Sequence, residues 1–208
     1  IDGSRGCIVE KSDADIRGSL ACRSSLYAAF VSKRSVAKSH RQVSLPAQYQ
    51  DSVRDESRQA YTVLAHILQH MGIMYRAQDI AISPEGKPYH VRSDYHFSYA
   101  HSADYIACVV GDRPLGIDLE QPRPEIATIQ SKVLTRQDIL QGVDLLTAWV
   151  AKEAYSKLRG VGLGLSFSRV SVDTIHRMCH CVTGCGDTFR WAICYAGQPC
   201  PIQYVKLW

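Results

Sequence analysis

No run of apolar residues in this chain approaches the roughly 18 needed to cross a bilayer as a helix. Residues 1–6 carry neither the basic flank nor the apolar stretch of a secretory leader. A helical membrane span is excluded, no membrane partner is expected, and a cytoplasmic protein with reduced cysteines is. Acidic residues are missing altogether from 16–50, where Arg17, Arg23, Lys33, Arg34, Lys38 and Arg41 stand. Such a run attracts a polyanion or an acidic protein, or is simply a solvated surface. Zinc-finger, RNP and basic-zipper patterns are lacking, so no nucleic-acid partner is expected. Also absent are a P-loop, a G-x-S-x-G elbow and an H-E-x-x-H helix. Gly160, Gly162 and Gly164 follow a predicted helix instead of opening one, which excludes a dinucleotide fingerprint.

What is present suffices for a real core: 208 residues, 46% hydrophobic and 21% charged, with a net charge of +4. Eight cysteines are even in number, but the chain is too long to need disulfide staples. Cys179, Cys181 and Cys185 lie beside His176 and His180 without the paired C-x2-C spacing of a structural zinc site, so no metal is assigned there.

Periodicity predicts a helix over 55–71, with Tyr61, Leu64, Ile67, Leu68 and Met71 on one face and Gly72 as the stop. Residues 83–88 read as a turn. Residues 105–110 and 115–120 read as strands, joined by Gly111-Asp112-Arg113-Pro114 into a hairpin that would put Tyr105 opposite Glu120. A short helix over 135–142 has Thr135 as its N-cap. The best helix spans 145–159 and is ended by Gly160. From 166 onward short strands and turns are expected. The mixture is α+β.

Three pieces carry chemistry. In Leu115-Gly116-Ile117-Asp118-Leu119-Glu120, strand alternation puts Asp118 and Glu120 on one face beside Gly116. That is either an acidic shelf for a hard cation such as Mg2+ or an ordinary solvent-facing strand. On the 145–159 helix, Leu145, Leu146, Trp149 and Val150 define an apolar face with Glu153 near its middle, Lys157 one turn later and Lys152 at its edge. Glu153 then makes a structural pair with Lys157, or serves as a third metal ligand or general base. In Phe97-Ser98-Tyr99-Ala100-His101-Ser102, His101 sits past the acidic end, placed for phosphate or titration near neutrality.

Taken in order, Gly86-Lys87-Pro88, the 97–102 block, Gly116-Ile117-Asp118-Leu119-Glu120 and Trp149-x-x-Lys152-Glu153-Ala154-x-x-Lys157 resemble the 4'-phosphopantetheinyl transferases of the Sfp/EntD type, over residues 55–165. The resemblance implies two similar α+β halves, 1–112 and 113–208, with coenzyme A between them. It implies Mg2+ (or Mn2+) on Asp118, Glu120 and Glu153, and catalysis by Glu153 and Lys157. Arg58, Lys87, Pro88, His101, Ser102, Lys152 and Lys157 become the coenzyme A contacts. The reaction implied moves phosphopantetheine from coenzyme A to a serine of an acidic apo-carrier protein, releasing 3',5'-ADP, and a monomer is expected. Ala100 departs from the family's usual Ser, and His66 stands where a second arginine is usual. The rival readings are a Mg2+-dependent nucleotide or pyrophosphate hydrolase and a non-catalytic carrier-binding module.

Overall fold

A computed structural model describes residues 25–39, 43–49 and 55–207. Arg17, Arg23 and Arg41 of the basic stretch lie outside them. Within them Arg34 and Lys38 are exposed, while Lys33 pairs with Glu56 at 3.2 Å.

Strand β1 (Leu26–Ser32) leads into helix α1 (Lys33–Lys38) and then α2 (Asp55–His70). A small hairpin, β2 (Ile80–Ile82) and β3 (Pro88–His90), flanks the predicted turn. Strands β4 (His96–Ser102), β5 (Tyr105–Gly111) and β6 (Leu115–Glu120) follow. Three short helices, α3 (Pro124–Thr128), α4 (Gln130–Val133) and α5 (Arg136–Leu140), precede the long α6 (Leu145–Arg159). The chain closes with α7 (Val172–Met178), β7 (His180–Cys185), β8 (Arg190–Tyr195) and β9 (Ile202–Tyr204). The protein is mixed α+β, and no described helix is long and apolar enough to cross a membrane.

The main strands form two sheets, ordered β4-β5-β1-β9 and β6-β8-β7. The predicted hairpin of 105–110 with 115–120 is therefore corrected: β5 pairs with β4 and β1, and β6 pairs with β8. The true hairpin is β4–β5, closing at Ser102 opposite Tyr105. Its two-residue turn holds Ala103 at φ 39°. Such turns ordinarily advertise themselves with Gly or Asn; this one does not, whereas Gly111-Asp112 does, although it carries the chain between sheets.

Strand alternation organises the layers. On β1 and β5, Ala29, Val31, Ile106, Cys108 and Val110 pack on α2, whose Leu64, Ile67 and Leu68 are fully buried. Burying each such side chain stabilises by about 1.5–3 kcal/mol. The opposite face of the same strands, with Ala28, Ala107 and Val109, meets Leu115, Ile117 and Leu119 of β6 and Ile193 of β8. Behind that sheet lies α6, packed through Ala148, Ala151 and Ala154 on Ala192 and Cys194. The order is helix, sheet, sheet, helix. The sheets also meet along their edges, β4 and β6. There Ser98 Oγ accepts from Ile117 N at 3.2 Å and Ser102 Oγ accepts from Gln121 N at 3.1 Å. Two hydroxyls, four residues apart, take the place of a backbone ladder.

Two further expectations change. The segment after 166 holds the helix α7, N-capped by Ser171. The buried surface of α6 runs through Ala148, Val150, Ala151, Lys152, Ala154 and Tyr155, whereas Leu145, Leu146 and Trp149 are only half-buried. Alanine weighs little in a hydropathy pattern, yet it is what a helix uses to approach a sheet closely.

That approach centres on Gly116. A Cβ there would run into the Ala154 carbonyl and lie 2.5 Å from Leu158 N, both helix backbone that cannot swing aside. Gly116→Ala should lower the unfolding free energy by about 1–3 kcal/mol, measured by urea denaturation. An unchanged midpoint would show that α6 does not seat on β6 this closely.

Candidate active site

Because Leu115, Ile117 and Leu119 point into the inter-sheet core, Gly116, Asp118 and Glu120 must point the other way, toward α6. The predicted acidic face is thus real, but it is covered instead of open: Asp118 and Glu120 are each 7% exposed. Helix α6 starts on Asp144, whose side chain accepts from Thr147 N. It ends on Gly160 at φ 66°, the left-handed conformation glycine supplies cheaply. Between these stops Glu153 and Lys157 fall one turn apart.

The two elements are tied across the site. Lys157 Nζ binds Asp118 Oδ1 at 2.7 Å and reaches the Tyr99 carbonyl of β4 at 3.4 Å. Lys157 thus pairs with Asp118, and not with Glu153 as the structural alternative for this helix had it. Ser102 donates to Glu120 Oε1, and Arg123 Nη2 binds Glu120 Oε2 at 3.1 Å. Burial pushes the Asp118 carboxyl up, opposed by Lys157. Burial, together with the charges of Asp118 and Glu120, lifts Glu153 to about 7, with Lys157 again opposing. Three carboxylates therefore share one electrostatic neighbourhood.

Their oxygens suit a hard divalent cation, whose charge would relieve the mutual repulsion. They are not gathered into a ready cage: among the described residues no three His, Cys, Asp or Glu side chains are set to hold a metal ion. Asp118 is engaged by Lys157, and Glu120 by Ser102 and Arg123.

Beside this cluster opens a cavity of about 210 Å3, bordered by Gly86, Lys87, Pro88, Ser98, Tyr99 and Lys157. Lys87 and Pro88 come there because the β2–β3 turn, closed by Ser83 N to Lys87 O at 2.9 Å, lies against the end of α6. The Lys87 ammonium is spent on backbone: it donates to the Leu115 carbonyl at 3.3 Å and to the Lys157 carbonyl. Burial holds its pKa below the ordinary lysine value. Lys87 thus caps the last turn of α6, where carbonyls lack partners. A larger cavity of about 690 Å3 lies at the far end of α2, bordered by Val43, Gly72 and Arg76, away from the carboxylates.

The remaining expected contacts divide. Ser102 is at the site but faces Glu120. His101 is exposed on the opposite face of β4, the side on which Tyr99 meets Tyr61 of α2. Arg58 is exposed one turn before Tyr61. Neither Arg58 nor His101 borders the cavity at Lys87. Lys152, expected at the cofactor, is placed elsewhere. It is fully buried, with its ammonium on Asp138 at 2.6 Å and on the carbonyls of Val133 and Phe167 at 2.6 and 3.1 Å. Asp138 also closes the Thr135 capping box and accepts from Val172 N at 2.8 Å. Although burial works against its ionisation, the hydrogen bonds from Lys152, Val172 and Thr135 hold Asp138 below the usual carboxylate range. This pair fastens α6 to α4, α5 and α7; breaking such a buried pair from one side costs about 3–5 kcal/mol. Arg123 and Ser98 were not anticipated, and Arg123, three residues after Glu120, had a readable signal in that spacing.

Residues 114–205, which hold β6, α6 and all three carboxylates, match the family model described as the 4'-phosphopantetheinyl transferase superfamily. Three curated relatives share the resemblance. A 4'-phosphopantetheinyl transferase of Bacillus subtilis is 33% identical over 118 residues, 52% of this chain and 50% of that protein. The 4'-phosphopantetheinyl transferase psf-1 of Bacillus pumilus is 31% identical over 118 residues, 51% and 50% of the two chains. The 4'-phosphopantetheinyl transferase Sfp of Bacillus subtilis (strain 168) is 33% identical over 88 residues, 38% and 39% of the two. The alignments span about half the length of these relatives or less. The Sfp-type resemblance read from the motifs is thereby established.

Glu153 allows a direct test of the electrostatics. Its folded pKa of about 7 lies above the ordinary 4.5. The folded state therefore keeps the proton longer than the unfolded chain, and stability is lost as pH rises between those values. In chelator-containing buffer, Glu153→Gln should be more stable than the parent at pH 8, and the gain should shrink at pH 5. Denaturation midpoints at both pH values check this; a gain independent of pH would mean that Glu153 is not held in a charge-repelling site.

Proposed function

We propose that this chain transfers the 4'-phosphopantetheine group from coenzyme A to a serine hydroxyl of an apo acyl or peptidyl carrier protein, releasing 3',5'-ADP. The observation that carries the reading is the seating of α6 on β6, which sets Glu153 and Lys157 against Asp118 and Glu120 beside a cavity lined by Lys87 and Pro88. The family match over the same residues supports it.

In this reading coenzyme A lies along the cavity, with its phosphates toward Lys157. Attack on a diphosphate needs an aligned acceptor and a neutralised leaving group. Glu153 accepts the proton of the serine hydroxyl, directly or through a water. Lys157 places a cation at the departing phosphate. Lys87 holds the carbonyl of Lys157 and so fixes where that cation stands. We assign Asp118, Glu120 and Glu153 as ligands of Mg2+ or Mn2+; a bound ion supplies Lewis acidity and charge neutralisation. Asp118, held by Lys157, would have to be shared with or released by that lysine to serve as a ligand. Arg58 and His101, on the α2 side of β4, are proposed to hold a more distant phosphate of the cofactor. The exposed Arg34 and Lys38 are proposed to steer an acidic carrier.

We infer a repeat with a boundary near 112/113. Its support is topological: β1, α2, β4, β5 in the first half and β6, α6, β7, β8 in the second follow the same strand–helix–strand–strand order. The sheets β4-β5-β1 and β7-β8-β6 follow the same strand order.

The test is incubation with coenzyme A, Mg2+ and a panel of apo-carriers, followed by mass spectrometry. A carrier gaining one phosphopantetheine is expected, with Glu153→Gln reducing the rate by about 10²–10⁴ while circular dichroism stays unchanged. Cleavage of coenzyme A without a carrier would turn the reading to a hydrolase. Failure to modify any carrier, with coenzyme A bound intact, would leave a binding module.

A further inference from the structure

The cysteine group noted in the sequence is rearranged by the fold. Cys185 lies exposed at the far end of β7, opposite Arg190. Its place is taken by Cys194 of β8, distant in sequence and fully buried. Cys194 is the direct cross-strand partner of Cys181. Opposite residues of an antiparallel pair have Cα atoms about 4.5–5.5 Å apart, within the roughly 4.4–6.8 Å that a disulfide spans. Cys179, the C-cap of α7, stands one residue before β7 and donates to the Ile175 carbonyl at 3.5 Å. Cys179 and Cys181 both pack against the buried cluster that contains Cys194, and both interact electrostatically with its thiol. All three are free thiols, and Cys179 and Cys181 are partly solvent-accessible. Two thiols with access to solvent thus flank a third that lies buried beneath them.

We propose that Cys179, Cys181 and Cys194 form a peroxide-responsive thiol–disulfide site in which buried Cys194 is the common resolving partner. Interaction between the two thiols lowers the pKa of Cys179 and raises that of Cys194, which favours Cys179 as the attacking thiolate. The Cys179 thiolate attacks one oxygen of hydrogen peroxide, the O–O bond breaks, and a sulfenic acid forms as hydroxide leaves and takes up a proton. The Cys194 sulfur then displaces the sulfenic oxygen as water, giving the Cys179–Cys194 bond. Two thiols and one peroxide become one disulfide and two waters. Exchange with the Cys181 thiol moves the bridge to the cross-strand pair Cys181–Cys194 without further oxidant. Cys194 also reaches the Ala151 carbonyl of α6 at 3.8 Å and stands opposite Gly116 on β6. The bridge therefore forms directly under the helix that carries Glu153 and Lys157.

The test needs neither coenzyme A nor a carrier, so it is independent of the transferase reading. The full chain is treated with a small excess of hydrogen peroxide, remaining thiols are alkylated, and peptides are mapped by mass spectrometry. The expected result is Cys194 disulfide-linked to Cys179 or Cys181, with the chain lighter by two hydrogens and the thiols restored by dithiothreitol. In Cys194→Ser the same treatment should leave a sulfenic acid on Cys179 that dimedone traps. Recovery of Cys194 as an alkylated free thiol, with oxidation absent or confined to Cys7, Cys22, Cys185 or Cys200, overturns the proposal.

Discussion

One close contact organises this molecule: the backbone of α6 laid on β6 at Gly116, where even a methyl group has no room. Everything chemical follows from that distance. With the helix so near, the outward face of β6 is a buried surface, and Asp118 and Glu120 lose most of their water. Lys157 then meets Asp118 across the gap, and Glu153 acquires the field of both acids. The alanines of α6 keep the approach possible along its length. Lys87 secures the last turn from outside, and the Asp138–Lys152 pair secures the middle from the opposite side.

Burying two carboxylates beside a half-buried third is costly, and the structure shows how the cost is distributed. Asp118 has a cation, Glu120 has a hydroxyl and a guanidinium, and Glu153 is left with a proton affinity near neutrality. A polar cluster of this kind is not chosen for stability, since an apolar replacement of similar volume would serve that purpose at least as well. Strongly displaced ionisation in a cleft is what acid–base chemistry requires. The seam between the sheets is similarly unusual. Ser98 and Ser102 bridge β4 to β6 by hydroxyls, and Ser102 binds both Gln121 N and Glu120, so one side chain connects the seam to the acidic cluster.

Legibility from sequence varied with how local the cause was. The helices at 55–70 and 145–159 were readable because their periodicity and glycine stops are local, and Thr135 announced itself as an N-cap. The alternation that separates Asp118 and Glu120 from Leu115, Ile117 and Leu119 was equally plain. Which partner covers the acidic face was not, because that depends on a contact some forty residues away. The β5–β6 hairpin was misread because Gly111-Asp112 imitates a turn while Ala103-Asp104, the real one, lacks the residues that usually mark it. Lys152 sits one residue from Glu153 in the sequence, but a 100° step turned it into the interior, where Asp138 was waiting. No spacing rule connects 138 with 152. Cys194 was likewise invisible as a neighbour of Cys179 and Cys181, since strand pairing alone brings it there.

The central claim is that carboxylates from a strand and from a helix act at a single centre. Mn2+ binding, followed by electron paramagnetic resonance in the presence of coenzyme A, addresses it most directly. One ion per chain is expected, with affinity reduced to a similar degree by Asp118→Asn, Glu120→Gln and Glu153→Gln. Binding that survives Glu153→Gln unchanged while the two strand substitutions abolish it would contradict the account.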